Sequence, residues 1–92
     1  MKYRVVYTTR FRKDRKRYQH DLDKMQALYA VVRHLENTGH VPAKYHPHKL
    51  HGIYEGCTEC HIESDYLLIW IDNLTDTIWL ERLGTHHELF GI

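Results

Sequence analysis

Residues 66–71 read Tyr-Leu-Leu-Ile-Trp-Ile, six apolar side chains in succession with an alternating segment on either side. Successive side chains of an extended chain point to opposite faces. An apolar run without alternation therefore predicts a central strand covered on both faces. Before it, residues 53–62 alternate, with Glu55, Cys57, Glu59 and His61 expected on one face and Tyr54, Thr58, Cys60 and Ile62 on the other. After the polar turn 72–76, residues 77–83 alternate again, which places Arg82 in register with Ile78 and Leu80. Three consecutive strands joined by short connections form an antiparallel meander.

The N-terminal half is of another kind. Residues 3–8 are rich in β-branched and aromatic types and predict a first strand. Thr8 or Thr9 can cap a helix carrying Phe11 and Tyr18 on one face, and Asp21 or Asp23 can start a second. Leu22, Met25, Leu28, Tyr29, Val32 and Leu35 recur at helical spacing, so the second helix has a stripe for the core. Gly39 ends it, because glycine takes the left-handed conformation favoured after a helix C-terminus. Residues 39–52 read as a histidine-rich loop with Pro42 and Pro47. The order β-α-α-β-β-β implies an α+β domain, one mainly antiparallel sheet with helices on one face. With 92 residues, one domain over 1–92 is expected.

Charge is divided sharply along the chain. Residues 1–17 carry eight basic side chains against Asp14, a net of +7, while the other five basic and eleven acidic residues give −6. Arg10, Arg12, Lys13, Lys16 and Arg17 lie close enough to form a phosphate-binding surface. The plain alternative is a solvated helix face. No apolar run is long enough for a membrane span. The start Met1-Lys2-Tyr3-Arg4 has no signal-peptide character, and two cysteines make no disulfide framework; the cytoplasm is the expected compartment.

Cys57-Thr58-Glu59-Cys60-His61 matches the attachment signature of c-type haem. On a strand, residues three apart face opposite ways, so the two sulfurs diverge; the same geometry opposes a zinc site built on both. His46, His48, His51 and His61 supply enough nitrogen to keep metal binding open, but no metal or cofactor is expected to be required. Most of the nine histidines need only solvated roles. The last third stands apart. His61, Asp65, Arg82 and His86 can move protons and hold a phosphate without a metal, and Phe90 can stack on a base. That inventory suits an enzyme that cuts RNA.

The segments His48-Lys-Leu-His-Gly52, Cys60-His61 with Asp65, and Glu81-Arg82-Leu-Gly-Thr-His86 with Leu89-Phe90-Gly91 resemble the YafQ branch of the RelE superfamily of bacterial toxins. The likeness spans nearly the whole chain. It implies a RelE-like fold and an endoribonuclease that cleaves messenger RNA in the ribosomal A site, held inactive by a cognate antitoxin. It implicates His48, His61, Asp65, Arg82, His86 and Phe90. Tyr66 stands where that branch has tryptophan, Ser64 where it has proline, and Leu83 where threonine is common.

Cleavage of this kind needs the 2′-OH proton removed, the transition-state charge stabilised and the 5′-oxygen protonated. The assignment is His86 as general acid, His48 or Asp65 as base, Arg82 and protonated His61 as charge stabilisers, and Tyr66 and Phe90 against the base beside the cut. Two rival readings remain: a non-catalytic RNA- or ribosome-binding module, and a degenerate toxin acting only with its antitoxin in operon repression.

Overall fold

The computed structural model describes residues 2–72 and 75–92, so Asn73 and Leu74 of the expected turn lie outside the described residues. The chain runs β1 (Arg4–Tyr7), α1 (Thr9–Lys16), α2 (Leu22–Thr38), β2 (His48–Lys49), β3 (Cys57–Glu63), β4 (Tyr66–Asp72), β5 (Thr77–Gly84) and α3 (His86–Phe90). The strands form one sheet in the order β1-β5-β4-β3-β2. β1 pairs parallel with β5 and the other pairings are antiparallel. The α+β reading holds, with a fifth strand added.

Local chemistry fixes the helices. Thr8 caps α1, accepting from the Phe11 amide at 3.2 Å while its own hydroxyl donates to the Leu80 carbonyl at 2.7 Å. One side chain thus starts the helix and ties it to β5. Asp21 caps α2 by accepting from the Lys24 amide at 3.1 Å. Gly39 closes α2 at φ +75°, where an added Cβ would lie 2.7 Å from the Tyr3 ring. Leu28, Val31, Val32 and Leu35 form the buried stripe of α2. Leu22, expected in that stripe, is the first helical residue and stays 72 % exposed.

The apolar run divides as a two-sided strand should. Tyr66, Leu68 and Trp70 pack with Cys60, Ile78, Leu80 and Leu83 against α1 and α2. Leu67 and Ile69 face the other way, joining Tyr54, Cys57 and Leu89 in a second, smaller cluster. Burying one Leu or Ile is worth about 1.5–3 kcal/mol, so both faces of β4 contribute. The expectation of helices on one face holds for α1 and α2, while α3 and the Tyr54 turn cover part of the opposite face.

Four expectations need correction. The strand expected over residues 53–62 is β3, which starts only at Cys57, and Tyr54 lies in a 3-10 turn over Gly52–Tyr54, packing on the same face as Cys57. The histidine-rich loop contains an edge strand, β2, whose His48 pairs opposite Glu59. Arg82 does not share a face with Ile78 and Leu80: Trp70 pairs with Leu80 but Ile69 pairs with Arg82, so Glu81 is an extra residue in β5. That bulge turns Arg82 to the Ile69 face and returns Leu83 to the helix-side core. Finally, Tyr66 has no exposed surface. Its ring sits 5.0 Å from that of Tyr18 and its hydroxyl donates to the Lys24 carbonyl at 3.4 Å. It is a core residue and presents nothing to a nucleobase.

Candidate active site

The face of the sheet opposite α1 and α2 carries an arc of polar side chains from β2 to α3. β3 supplies Glu59 and His61, two residues apart and so on one face, and β2 supplies His48 directly opposite Glu59. His48 Nε2 lies 3.0 Å and His61 Nε2 3.6 Å from the same Glu59 oxygen. The His46 ring stands 6.2 Å and the His48 ring 6.1 Å from that of His61. On the other side the His86 ring is 5.7 Å from His61, and Phe90 is 6.4 Å from His86. The loop, the His61 end of β3 and the His86 segment thus converge on this face.

Asp65 occupies the two-residue turn between β3 and β4 and is exposed. One of its oxygens accepts from the His86 backbone N–H at 2.8 Å and contacts His86 Nδ1 at 2.6 Å. These contacts hold the Asp65 carboxyl below its usual pKa, the backbone bond first and the ring second. An ionised carboxylate only accepts, so Nδ1 is the donor in this contact and Nε2 is the ring nitrogen left outside it. Asp65 orients His86.

α3 spans only five residues and needs external support to persist. Thr85 and Glu88 form a capping box: the Thr85 hydroxyl accepts from the Glu88 amide at 3.1 Å and Glu88 accepts from the Thr85 amide at 2.9 Å. Tyr18 donates its hydroxyl to the same Glu88 oxygen, and Arg17 lies 3.4 Å from the other. Burial pushes Glu88 up, but the Tyr18 bond, the Thr85 amide and Arg17 together leave it below its ordinary value. Burial and the bond to Glu88 raise Tyr18. Gly84 precedes the cap, and a Cβ there would come 2.6 Å from Glu88 Oε1.

Arg82 is held as firmly. Its Nε donates to Asp14 at 2.6 Å, Nη2 to Asp14 at 3.3 Å and Nη1 to the Tyr54 hydroxyl at 2.8 Å. Asp14 also accepts from the Leu83 amide at 3.0 Å. The hydrogen bonds to Asp14 raise the Arg82 pKa against the opposing effect of burial, so the guanidinium is permanently charged. These bonds use three of its five N–H groups, and the fork opens onto a groove of about 320 Å³ shared with Arg10, Lys13 and Arg17. Tyr54 in turn packs edge-on against Phe90 at 5.5 Å.

The structure therefore gathers His48, His61, Asp65, Arg82, His86 and Phe90 along one face and excludes Tyr66. It adds Asp14, Glu59 and Tyr54. Asp14 carried a signal, since it falls three residues after Phe11 and faces inward with it. Alternation places Glu59 on the His61 face, but nothing in its strand marks it as buried. The cysteines take no part: Cys57 and Cys60 belong to opposite layers, and burial, then Glu59, pushes the Cys60 thiol up to about 12. The haem spelling has no structural counterpart.

Residues 3–91 match the family described as bacterial toxin of type II toxin-antitoxin system, YafQ. The mRNA interferase toxin YafQ of Escherichia coli K12 is 36 % identical over 92 residues, covering 95 % of each chain. The E. coli DinJ–YafQ complex superposes with a TM-score of 0.74 at 34 % identity, over 97 % of this chain and 99 % of that one. A metal-bound toxin from Helicobacter pylori gives 0.83 at 32 % identity, over 96 % and 99 %. The chain belongs to the YafQ family of bacterial type II toxins.

Proposed function

We propose that this toxin is a messenger-RNA endonuclease that works on the ribosome by acid–base chemistry, without a catalytic metal. The observation that carries the reading is the Asp65–His86 pair, with His61 next to it and the charged Arg82 fork on the same face. The 2′-hydroxyl attacks the adjacent phosphorus in line, giving a 2′,3′-cyclic phosphate and a 5′-hydroxyl product. His86 protonates the departing 5′-oxygen through Nε2. Asp65 is occupied twice by His86, which leaves His48 as the base for the 2′-OH. Arg82 and protonated His61 stabilise the charge that builds on the phosphoryl oxygens. Phe90, propped by Tyr54, packs against the base beside the cut.

The partner follows from the family. DinJ is bound to E. coli YafQ, and an antitoxin is inferred here to cover the same open face and the basic helix, with toxin and antitoxin together repressing their own operon. A cytoplasmic location fits a ribosomal substrate, and no described helix is long and apolar enough to cross a membrane.

The test is single-turnover cleavage on programmed ribosomes by purified wild type and His86→Ala, with thermal melts alongside. The His86 backbone N–H still reaches Asp65 after truncation, so stability should change by no more than about 1 kcal/mol. Cleavage should slow by at least about 100-fold, the lower end for loss of a general acid. Near wild-type cleavage by the variant would remove His86 from the chemistry, and an unfolded variant would make it a structural residue.

A further inference from the structure

We propose that His48, Glu59 and His61 form a binding site for one divalent transition-metal ion, and that an ion held there silences the enzyme. The three side chains each offer a ligand atom, and these atoms lie within 4.8 Å of one another. Around a tetrahedral zinc with bonds of about 2.0–2.2 Å, ligand atoms sit roughly 3.3 Å apart. The pairs centred on Glu59 already stand at 3.0 and 3.6 Å. Small rotations about the histidine side-chain bonds complete the set.

The frame beneath them is paired strand. His48 and Glu59 lie opposite each other across β2 and β3, and His61 follows Glu59 by one strand repeat, so all three project onto one face. Two imidazoles and one carboxylate select zinc, copper or nickel, whereas magnesium and calcium prefer oxygen alone.

Glu59 supplies the second observation. Glu59 is 3 % exposed, and its Oε2 has no hydrogen-bond partner among the described residues. A buried anionic oxygen without a partner is costly. His48 and His61 both approach the other oxygen, so they leave this one uncompensated; a cation seated between the three groups would compensate both. The His48 side chain is 49 % exposed, which gives an ion a way in and leaves a coordination position for water.

The inhibitory half rests on the function proposed above. A bound ion takes the imidazole lone pairs, so His48 cannot accept the 2′-OH proton and His61 cannot carry a proton beside the phosphate. His86 lies outside the trio and Asp65 keeps it in place. The ion is thus a reversible block on a metal-free reaction.

Calorimetric titration of zinc chloride into the metal-free toxin reads the site without any cleavage assay. Wild type and His86→Ala should each bind one ion per chain. Glu59→Gln and the more exposed His48→Ala should each weaken binding by more than about 100-fold, exceeding the loss expected from removing a mere outer partner; melts of both variants confirm folding, and either one suffices. In parallel, zinc added to programmed ribosomes at constant magnesium should stop cleavage by wild type, and a zinc-selective chelator should restore it. Absence of zinc binding by wild type, or equal binding by folded Glu59→Gln or His48→Ala, overturns the site. Binding through the trio with undiminished cleavage overturns the block. A toxin that never cleaves, even metal-free, refutes the proposed function while calorimetry still decides the site.

Discussion

Asp65 and His86 share one carboxylate oxygen and two bonds, and the two bonds can be separated by experiment. The backbone N–H of His86 does more than its ring to lower the Asp65 pKa. A carboxylate depressed in the folded state adds stability that is full above the ordinary Asp value of about 3.9 and is lost as pH falls through its lower folded value. The Asp65 contact should therefore hold throughout the neutral range and fail only in strong acid. A carboxyl-carbon NMR titration should place Asp65 below the ordinary value in wild type. In His86→Ala it should move only part of the way back, because the backbone donor remains. Full return would mean that the ring, not the backbone, holds the carboxylate. At this scale much was legible, since histidine, aspartate and arginine announce their chemistry by type. The burial of Tyr66 is not legible because a strand with six apolar residues in succession has no alternation to assign a face. The two-residue turn before it decides that the tyrosine enters the helix-side core.

Between elements, Asp14 joins α1 to β5 and aims Arg82. Asp14 is 5 % exposed and its carboxylate accepts from the guanidinium and from the Leu83 amide, so one side chain sets both the helix position and the direction of the fork. Breaking a buried ion pair by removing one partner costs about 3–5 kcal/mol, and the Arg82 side chain retains 15 % exposure, which places Asp14→Ala toward the lower end of that range. Asp14→Asn keeps an acceptor for Leu83 but surrenders the charge. We expect both variants to melt lower than wild type, Asn less than Ala, and both to cleave more slowly at saturating ribosomes with unchanged ribosome affinity. A fall in affinity with an unchanged rate would place Arg82 in binding alone. This pairing could not be read from strand periodicity. The extra residue at Glu81 reverses the face of Arg82, and a bulge leaves no mark in a two-residue pattern. The helices were more legible because their caps, Thr8, Asp21 and Gly39, are local in sequence.

Over the whole molecule, the basic N-terminal run becomes an exposed face of α1. Arg10, Arg12, Lys13 and Lys16 are exposed on α1, and the groove through Arg10, Lys13 and Arg17 leads to Arg82. Not every cation is free to meet RNA: Arg17 faces Asp14 and Glu88, and Arg12 donates to the Tyr7 carbonyl at 3.2 Å. The phosphate contacts should then fall mainly on Arg10, Lys13 and Lys16, for which no ion pair is seen among the described residues. Each phosphate neutralised contributes about 0.7–0.9 to the slope of log affinity against log salt. Replacing these three by Gln should flatten that slope by roughly 2–3 and weaken ribosome association at physiological salt. Folding should be nearly unaffected, since each site is exposed and such changes lie within about 0.5 kcal/mol. The single-turnover rate at saturating ribosomes should change much less than the affinity, because Arg82, His61 and His86 do not depend on these side chains for position. Salt-dependent binding and saturated cleavage, measured on the same triple variant, decide the matter. Lost chemistry with intact binding would make the helix part of the catalytic apparatus instead of its dock.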